Sequence, residues 1–187
     1  MTERTPAFFE RLALRLELLI MTRLVPADNP GPVFKRLFKV PVFFYKIGLP
    51  LFGSFILLLT TTGRKSGKPH YTPLEYRREA GTGHCILTAG WGGNSDWCRN
   101  ILARPRVRVQ HGRVHFDALA EQLSDEAVAD WLALSLRINP PSERIWSRWA
   151  GEHVCLQDRE GLLRAAKKFP SFRLIPVISE GEYHEPE

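Results

Sequence analysis

Between residues 54 and 122 the chain is a series of short β-prone runs divided by tight turns, with room for one short helix among them. Ser54–Thr61, His70–Arg78, His84–Ala89, Val107–His111 and Arg113–Gln122 read as strands, and Phe172–Ile178 as a closing strand. The separators are a Gly/Lys/Ser turn after Thr62, the stretch Glu79–Gly83 and the single Gly112. Many short strands with few helical crossovers favour a small antiparallel barrel, so the expected class is mainly β with flanking helices. The helices expected are Asn94–Ala103, with Asn94 or Ser95 as its cap, and Asp125–Arg137, capped by Ser124 and ended by Pro140 and Pro141. Shorter ones follow around Ser142–Ala150 and Arg159–Lys168.

The first separator carries chemistry as well as geometry. TTTGRKSGKP follows the apolar run Phe55–Leu59, with Gly63 and Gly67 supplying backbone freedom and Arg64, Lys65 and Lys68 lying at or beside the tip. Ser66 and Thr62 add hydroxyls. Fixed cations on a rigid turn suit an anionic ligand, a phosphate or a carboxylate.

Charge is unevenly spread. Residues 1–78 hold 13 Lys/Arg against 5 Asp/Glu, net +8, while residues 79–187 hold 13 against 15, net −2. The positive field belongs to the N-terminal part and points to an anionic partner there: a charged cofactor tail, anionic lipid or nucleic acid. Nucleic acid ranks last, because the cations interleave with apolar helix positions and form no continuous tract. Phe8–Leu24 has apolar residues at helical spacing, and Val33–Gly48 mixes Lys35, Arg36, Lys39 and Lys46 with large aromatics, with Pro41 expected to kink or divide it. Such N-terminal amphipathic helices can cover the barrel, or lie on an anionic membrane surface. The division expected is an N-terminal helical segment over 1–50, a barrel domain over 51–180 and an acidic tail over 181–187. Three cysteines without a CxxC spacing suggest neither a disulfide framework nor structural zinc, and fit a reducing cytoplasm. Glu10, Arg11, Arg15 and Glu17 interrupt any signal-peptide core, and Ile47–Gly63 is too short and too broken to span a bilayer.

A second segment, LTAGWGGNSDWCRNILARP over Leu87–Pro105, sets Gly90, Gly92 and Gly93 around Trp91 and then starts a helix. Small residues at a strand end let a flat ligand approach the backbone, helix N-terminal amides favour an anion, and Trp91 and Trp97 suit stacking on a ring or walling a pocket. The bland reading, a structural bend, weighs about as much on these residues alone.

TTTGRKSGKP followed by TPL, then TAGWGG, DWCRNI and RPRVRV, resembles the deazaflavin-dependent nitroreductase family, which also contains quinone reductases using coenzyme F420. The resemblance covers roughly residues 54–118, with several motifs in the family's order and spacing. It implies a split β-barrel related to flavin-binding reductases, with the deazaflavin in a groove and a homodimer by analogy. The cofactor's phosphate, lactyl link and glutamates make its tail polyanionic, and Arg64, Lys65 and Ser66 match the family's tail-binding turn. His70, Tyr71, Thr72, Pro73, Leu74 and Glu75 match the strand that lines the cofactor. Thr88, Ala89, Gly90 and Trp91 match the loop whose backbone approaches the ring or phosphate, and Asp96, Trp97 and Asn100 the third contact segment. Two departures stand out: Gly90–Trp91 replaces the Ser-Lys of certain members, and Glu75 an aromatic.

The activity so implied is hydride transfer from reduced coenzyme F420 to a quinone, nitro compound or activated alkene, in the cytoplasm or peripherally on the inner face of the cell membrane. Tyr71, Tyr76 and His70 are the candidate proton donors, His70 and Tyr76 falling on one strand face and Tyr71 on the other. Competing readings are a non-catalytic deazaflavin- or lipid-binding module and an FMN-dependent split-barrel reductase. Trp146 and Trp149 either wall the substrate entrance or pack in the core. His111 and His115 have no third partner for a metal, and no nucleophile motif supports hydrolysis.

Overall fold

A computed structural model of the chain describes residues 40–46, 56–79, 81–90 and 92–177. The segment Phe8–Leu24, most of Val33–Gly48, Trp91 and the acidic tail lie outside the described residues. The described elements begin with helix α1 (Val40–Lys46) and strands β1 (Ile56–Thr62), β2 (Pro69–Glu75), β3 (Arg77–Arg78) and β4 (Cys85–Thr88). Helix α2 (Asp96–Ala103), strands β5 (Arg106–His111) and β6 (Val114–Gln122) and helix α3 (Asp125–Ile138) come next. A 3-10 turn at Pro140–Ser142, helices α4 (Glu143–Ala150) and α5 (Arg159–Lys168) and strand β7 (Ser171–Pro176) complete them. Pro41 is the second residue of α1 as described, and the preceding part of the segment in which it was expected to kink or divide the chain lies outside the described residues. Among the described residues no helix is long and apolar enough to cross a membrane.

All seven strands join one sheet in the order β2-β1-β5-β6-β7-β4-β3, and every pairing is antiparallel. The segment expected as a single strand, His70–Arg78, is two: pairing breaks at Tyr76, with β2 on one edge of the sheet and β3 on the other. Because β2 and β3 are separated by one residue, the sheet must curl until its edges meet at Tyr76. That is the mainly β, split-barrel architecture with flanking helices. The Tyr76 side chain is buried at this seam, its hydroxyl hydrogen-bonded to His111 Nε2 and its ring edge-on to the imidazole at 5.0 Å.

Strand alternation fills the barrel. Leu57 and Leu59 of β1, Val107 and Val109 of β5, Ala118 and Ala120 of β6, Leu87 of β4, and Phe172 and Leu174 of β7 form one core. Helix α2 plugs it with Trp97, Cys98 and Ile101, the apolar stripe expected of positions i, i+1 and i+4. Strand β4 is buried on both faces, because Ile86 points the other way into a second core. That core belongs to a helical layer: Val128, Leu132 and Leu136 of α3, Trp146 and Ala150 of α4, Leu162, Ala165 and Ala166 of α5, and Phe169. Trp131, Trp146 and Trp149 stack edge-to-face through it, at centroid spacings of 5.4 and 5.5 Å. Ser124 caps α3 by accepting from the Ala127 amide, and Asp158 caps α5 by accepting from Gly161.

Candidate cofactor site

The β1–β2 hairpin ends in a six-residue loop, 63–68, closed by Gly63 N–H to the Lys68 carbonyl and Gly67 N–H to the Gly63 carbonyl, both 2.8 Å. Gly67 takes φ +67°, a conformation that favours glycine. At Gly63 the approach is close: a Cβ there would stand 2.6 Å from Ser66 Oγ and 2.7 Å from His70 Nε2. The loop is therefore drawn tight around Ser66 and His70, and it walls a concavity of about 190 Å³ with Arg64, Lys65, Asp96 and Asn100.

A buried polar clamp fixes this turn to α2. Asn100 is 2% exposed; its Oδ1 accepts from the Arg64 backbone N–H at 3.1 Å and from Arg64 Nη1 at 3.2 Å. Its Nδ2 donates to Thr61 Oγ1 at 3.1 Å, and Thr61 is itself buried. Arg64 Nη1 also bonds Asp96 Oδ1 at 2.9 Å, so the guanidinium bridges the hairpin to the first turn of the helix. Lys65 and Lys68 are exposed and make no ion pair among the described residues. Thr61 was not singled out in sequence. Its signal lay in α2, where Asn100 shares the apolar face of Trp97 and Ile101 and therefore needs an internal partner.

The other expected residues divide among several environments. Thr72, Pro73, Leu74 and Glu75 continue β2 as half-buried positions away from the turn, and Glu75 pairs with Arg77 at 2.6 Å. Tyr71 faces the opposite side of the sheet from His70 and lines an outer cavity with Thr60, Arg106 and Arg108. Tyr76 lies six residues beyond His70, about 20 Å along an extended strand. The structure therefore brings His70, and neither tyrosine, into the basic concavity. Burial pushes the Tyr76 phenol up and holds His111 below the usual imidazole range, so both are neutral at the seam. Trp97 is buried in the barrel core, edge-on to Phe172 at 5.7 Å.

In the glycine-rich loop, protein atoms occupy the space that the glycines leave. A Cβ on Gly90 would meet the Trp149 ring at 2.4 Å, one on Gly92 the Lys168 carbonyl at 3.4 Å, and one on Gly93 the Pro170 ring at 3.3 Å. The loop is the seat on which the helical layer docks against the barrel. Ala89 N–H donates to the Pro170 carbonyl at 3.0 Å, and the Thr88 and Ser171 hydroxyls lie 3.0 Å apart. The departure Gly90 has a physical reason in this chain, since Trp149 lies where a serine side chain would stand. Trp91 lies outside the described residues. Helix α2 begins just after this loop, so its N-terminal turn stands between the basic hairpin and the docked helical layer.

The cationic hairpin of the curled barrel is thus clamped to helix α2 through Arg64, Asp96 and Asn100. The protein-family profile for F420H(2)-dependent quinone reductase matches residues 42–148, and the chain belongs to that family, an F420-dependent class of oxidoreductase. Among solved structures it is similar to an F420-H2 dependent reductase (FDR-A), with 29% identity over 64% of this chain and 92% of that one, TM-score 0.45. A second, described as a domain-swapped dimer, has 29% identity over 64% of this chain and 78% of that one, TM-score 0.45. A conserved hypothetical protein from Mycobacterium tuberculosis has 20% identity over 71% and 79% of the two chains, TM-score 0.43. The family implies coenzyme F420, and the FMN alternative has no support from it.

Proposed function

We propose that this chain binds reduced coenzyme F420 through its anionic phosphate and glutamate groups and reduces a quinone. The observation that carries the reading is the Thr61–Asn100–Arg64 clamp, which spends a buried polar network on fixing a cationic turn. Solvated surface charges need no such anchoring. Arg64, Lys65, Ser66 and His70 would hold the anionic groups, and the close approach of Ser66 and His70 to Gly63 gives the cradle a defined size. Thr88, Ala89 and Gly90, at the end of β4 and before the start of α2, would flank the cofactor.

When bound, the reduced deazaflavin supplies a hydride, and the acceptor also needs a proton. Of the three proposed donors, His70 is favoured, because it alone lines the basic concavity. Tyr76 is committed to His111 at the seam, and Tyr71 lies across the sheet. Nitro compounds and activated alkenes are the competing acceptors. The amphipathic segment Phe8–Leu24 would carry the enzyme to quinone dissolved in a membrane.

The test is a fluorescence titration of the full chain with coenzyme F420 and with FMN. Turnover of the reduced cofactor against menaquinone, nitroimidazole and enone acceptors follows. Tight deazaflavin binding with fastest turnover on the quinone supports the reading. FMN binding without deazaflavin binding sinks the cofactor, and a faster rate on the nitro compound sinks the quinone.

A further inference from the structure

The larger concavity of the barrel is not the basic one. Across the β1–β2 hairpin, on the outer face of the sheet, lies a cavity of about 430 Å³ lined by Thr60, Thr62, Tyr71, Arg106, Arg108 and Asp117. Its floor follows from register: Tyr71, Thr60, Arg108 and Asp117 are consecutive cross-strand partners on β2, β1, β5 and β6, so their side chains share one face. Arg106 and Arg108 alternate onto the same face and are 71% and 69% exposed. One carboxylate serves both: Asp117 accepts from Arg108 Nε at 3.1 Å and stands 3.7 Å from Arg106 Nη2. Two guanidiniums against one carboxylate leave the cavity net positive. Arg104 extends the row, its Nη1 4.0 Å from the position a Gly67 Cβ would take at the hairpin tip.

Only the hairpin tip separates the two concavities. Gly63–Ser66 wall the inner one, and Thr62, Gly67 and Pro69 the outer one. The inner volume, about 190 Å³, is below the roughly 300 Å³ at which pockets begin to enclose whole ligands. It suits one anionic group and not a chain of them. A ligand with a phosphate followed by several carboxylates must leave it, and the adjoining cationic concavity is the outer one.

We infer that the outer cavity is a second carboxylate subsite, in which Arg106 and Arg108, with the Thr60 and Thr62 hydroxyls, take the distal glutamates of the cofactor tail after it passes the Lys65–Lys68 tip. The inference rests on the deazaflavin reading above and extends it to a face of the sheet that the basic turn does not reach. Asp117 acts as a placeholder, holding both guanidiniums in the cavity when no tail is bound. A carboxylate of the tail competes for the same donors, so the gain per contact is modest and dependent on salt.

The experiment is a titration of the full chain with deazaflavins carrying no glutamate and carrying several, at low and high salt. The longer tail should bind about tenfold tighter at low salt, an advantage mostly lost at high salt. The double variant Arg106→Gln, Arg108→Gln should bind the tail-less form as the parent does and reduce the length advantage to about twofold. Asp117→Asn, which frees both guanidiniums, should enlarge it. Circular dichroism of each variant checks the fold. Equal affinity for all tail lengths, or an unchanged advantage in the double variant, overturns the subsite and leaves the cofactor reading standing. Loss of binding to anionic vesicles in the double variant, with the length advantage intact, also overturns it, since the face would then read lipid. No binding of any deazaflavin overturns the cofactor reading and this inference with it.

Discussion

Asn100→Ala tests whether the clamp under the basic turn does what its geometry implies. The substitution removes three hydrogen bonds: one to the buried Thr61 hydroxyl, one from the Arg64 amide and one from the Arg64 guanidinium. The guanidinium is 27% exposed and keeps Asp96, so its loss adds little. The Arg64 amide and the Thr61 hydroxyl are left short of partners in a part-buried and a buried place, and stripping such groups costs about 1–3 kcal/mol each at most. The net expectation is about 2–3 kcal/mol. For a chain of this length that is a fall in Tm of about 5–10 °C. Thermal melting by circular dichroism measures it. Thr61→Val, which removes only the buried Thr–Asn bond, should cost about 1 kcal/mol. The turn should also lose its set position, so deazaflavin affinity should weaken by about tenfold, while saturating cofactor restores most of kcat. If Asn100→Ala melts with the parent and binds the cofactor equally well, the clamp neither stabilises the hairpin nor organises the site.

Gly90→Ser should destabilise by about 1–3 kcal/mol, because its Cβ would meet the Trp149 ring; adding Trp149→Ala should recover part of the loss in a denaturant melt, and no recovery would remove Trp149 as the cause. Burial, reinforced by the Arg78 charge, holds His111 below its ordinary value, so the unfolded chain takes up that proton first as pH falls. The stability it contributes is complete above about pH 6.5 and is lost below it, and His111→Gln should flatten this arm of a Tm-against-pH curve. Burial pushes the Cys98 thiol up to about 12 and the Cys85 thiol upward as well. Iodoacetamide at mildly alkaline pH should therefore label Cys155 in the native chain, with the other two reacting only after unfolding; fast native labelling of Cys98 would contradict the burial of α2.

The strands and helices were legible because each carried a local signal: the apolar run of β1, the period-two run of β5, Ser124 before α3, and Pro140 and Pro141 after it. The exception, the split at Tyr76, is not local. Nothing in His70–Arg78 says that its two ends belong to opposite edges of one sheet; that follows from barrel closure, and it places Tyr76 against His111 at the seam. The basic turn was legible as chemistry, because cations, glycines and a preceding strand lie within ten residues of one another. Its anchor was half legible, as an asparagine on the apolar face of α2, but the partner Thr61 is 39 residues away. The glycine loop shows the limit most clearly. Read locally, Gly90, Gly92 and Gly93 leave room for a ligand; in the fold that room meets Trp149, Lys168 and Pro170, supplied 59 to 77 residues later. A small residue records that something comes close and does not say what. The helical layer already fills that seat, so packing accounts for these glycines without a ligand. Under the proposed function, recognition of the anionic cofactor would begin at the cationic hairpin, whose exposed lysines pair with no carboxylate among the described residues.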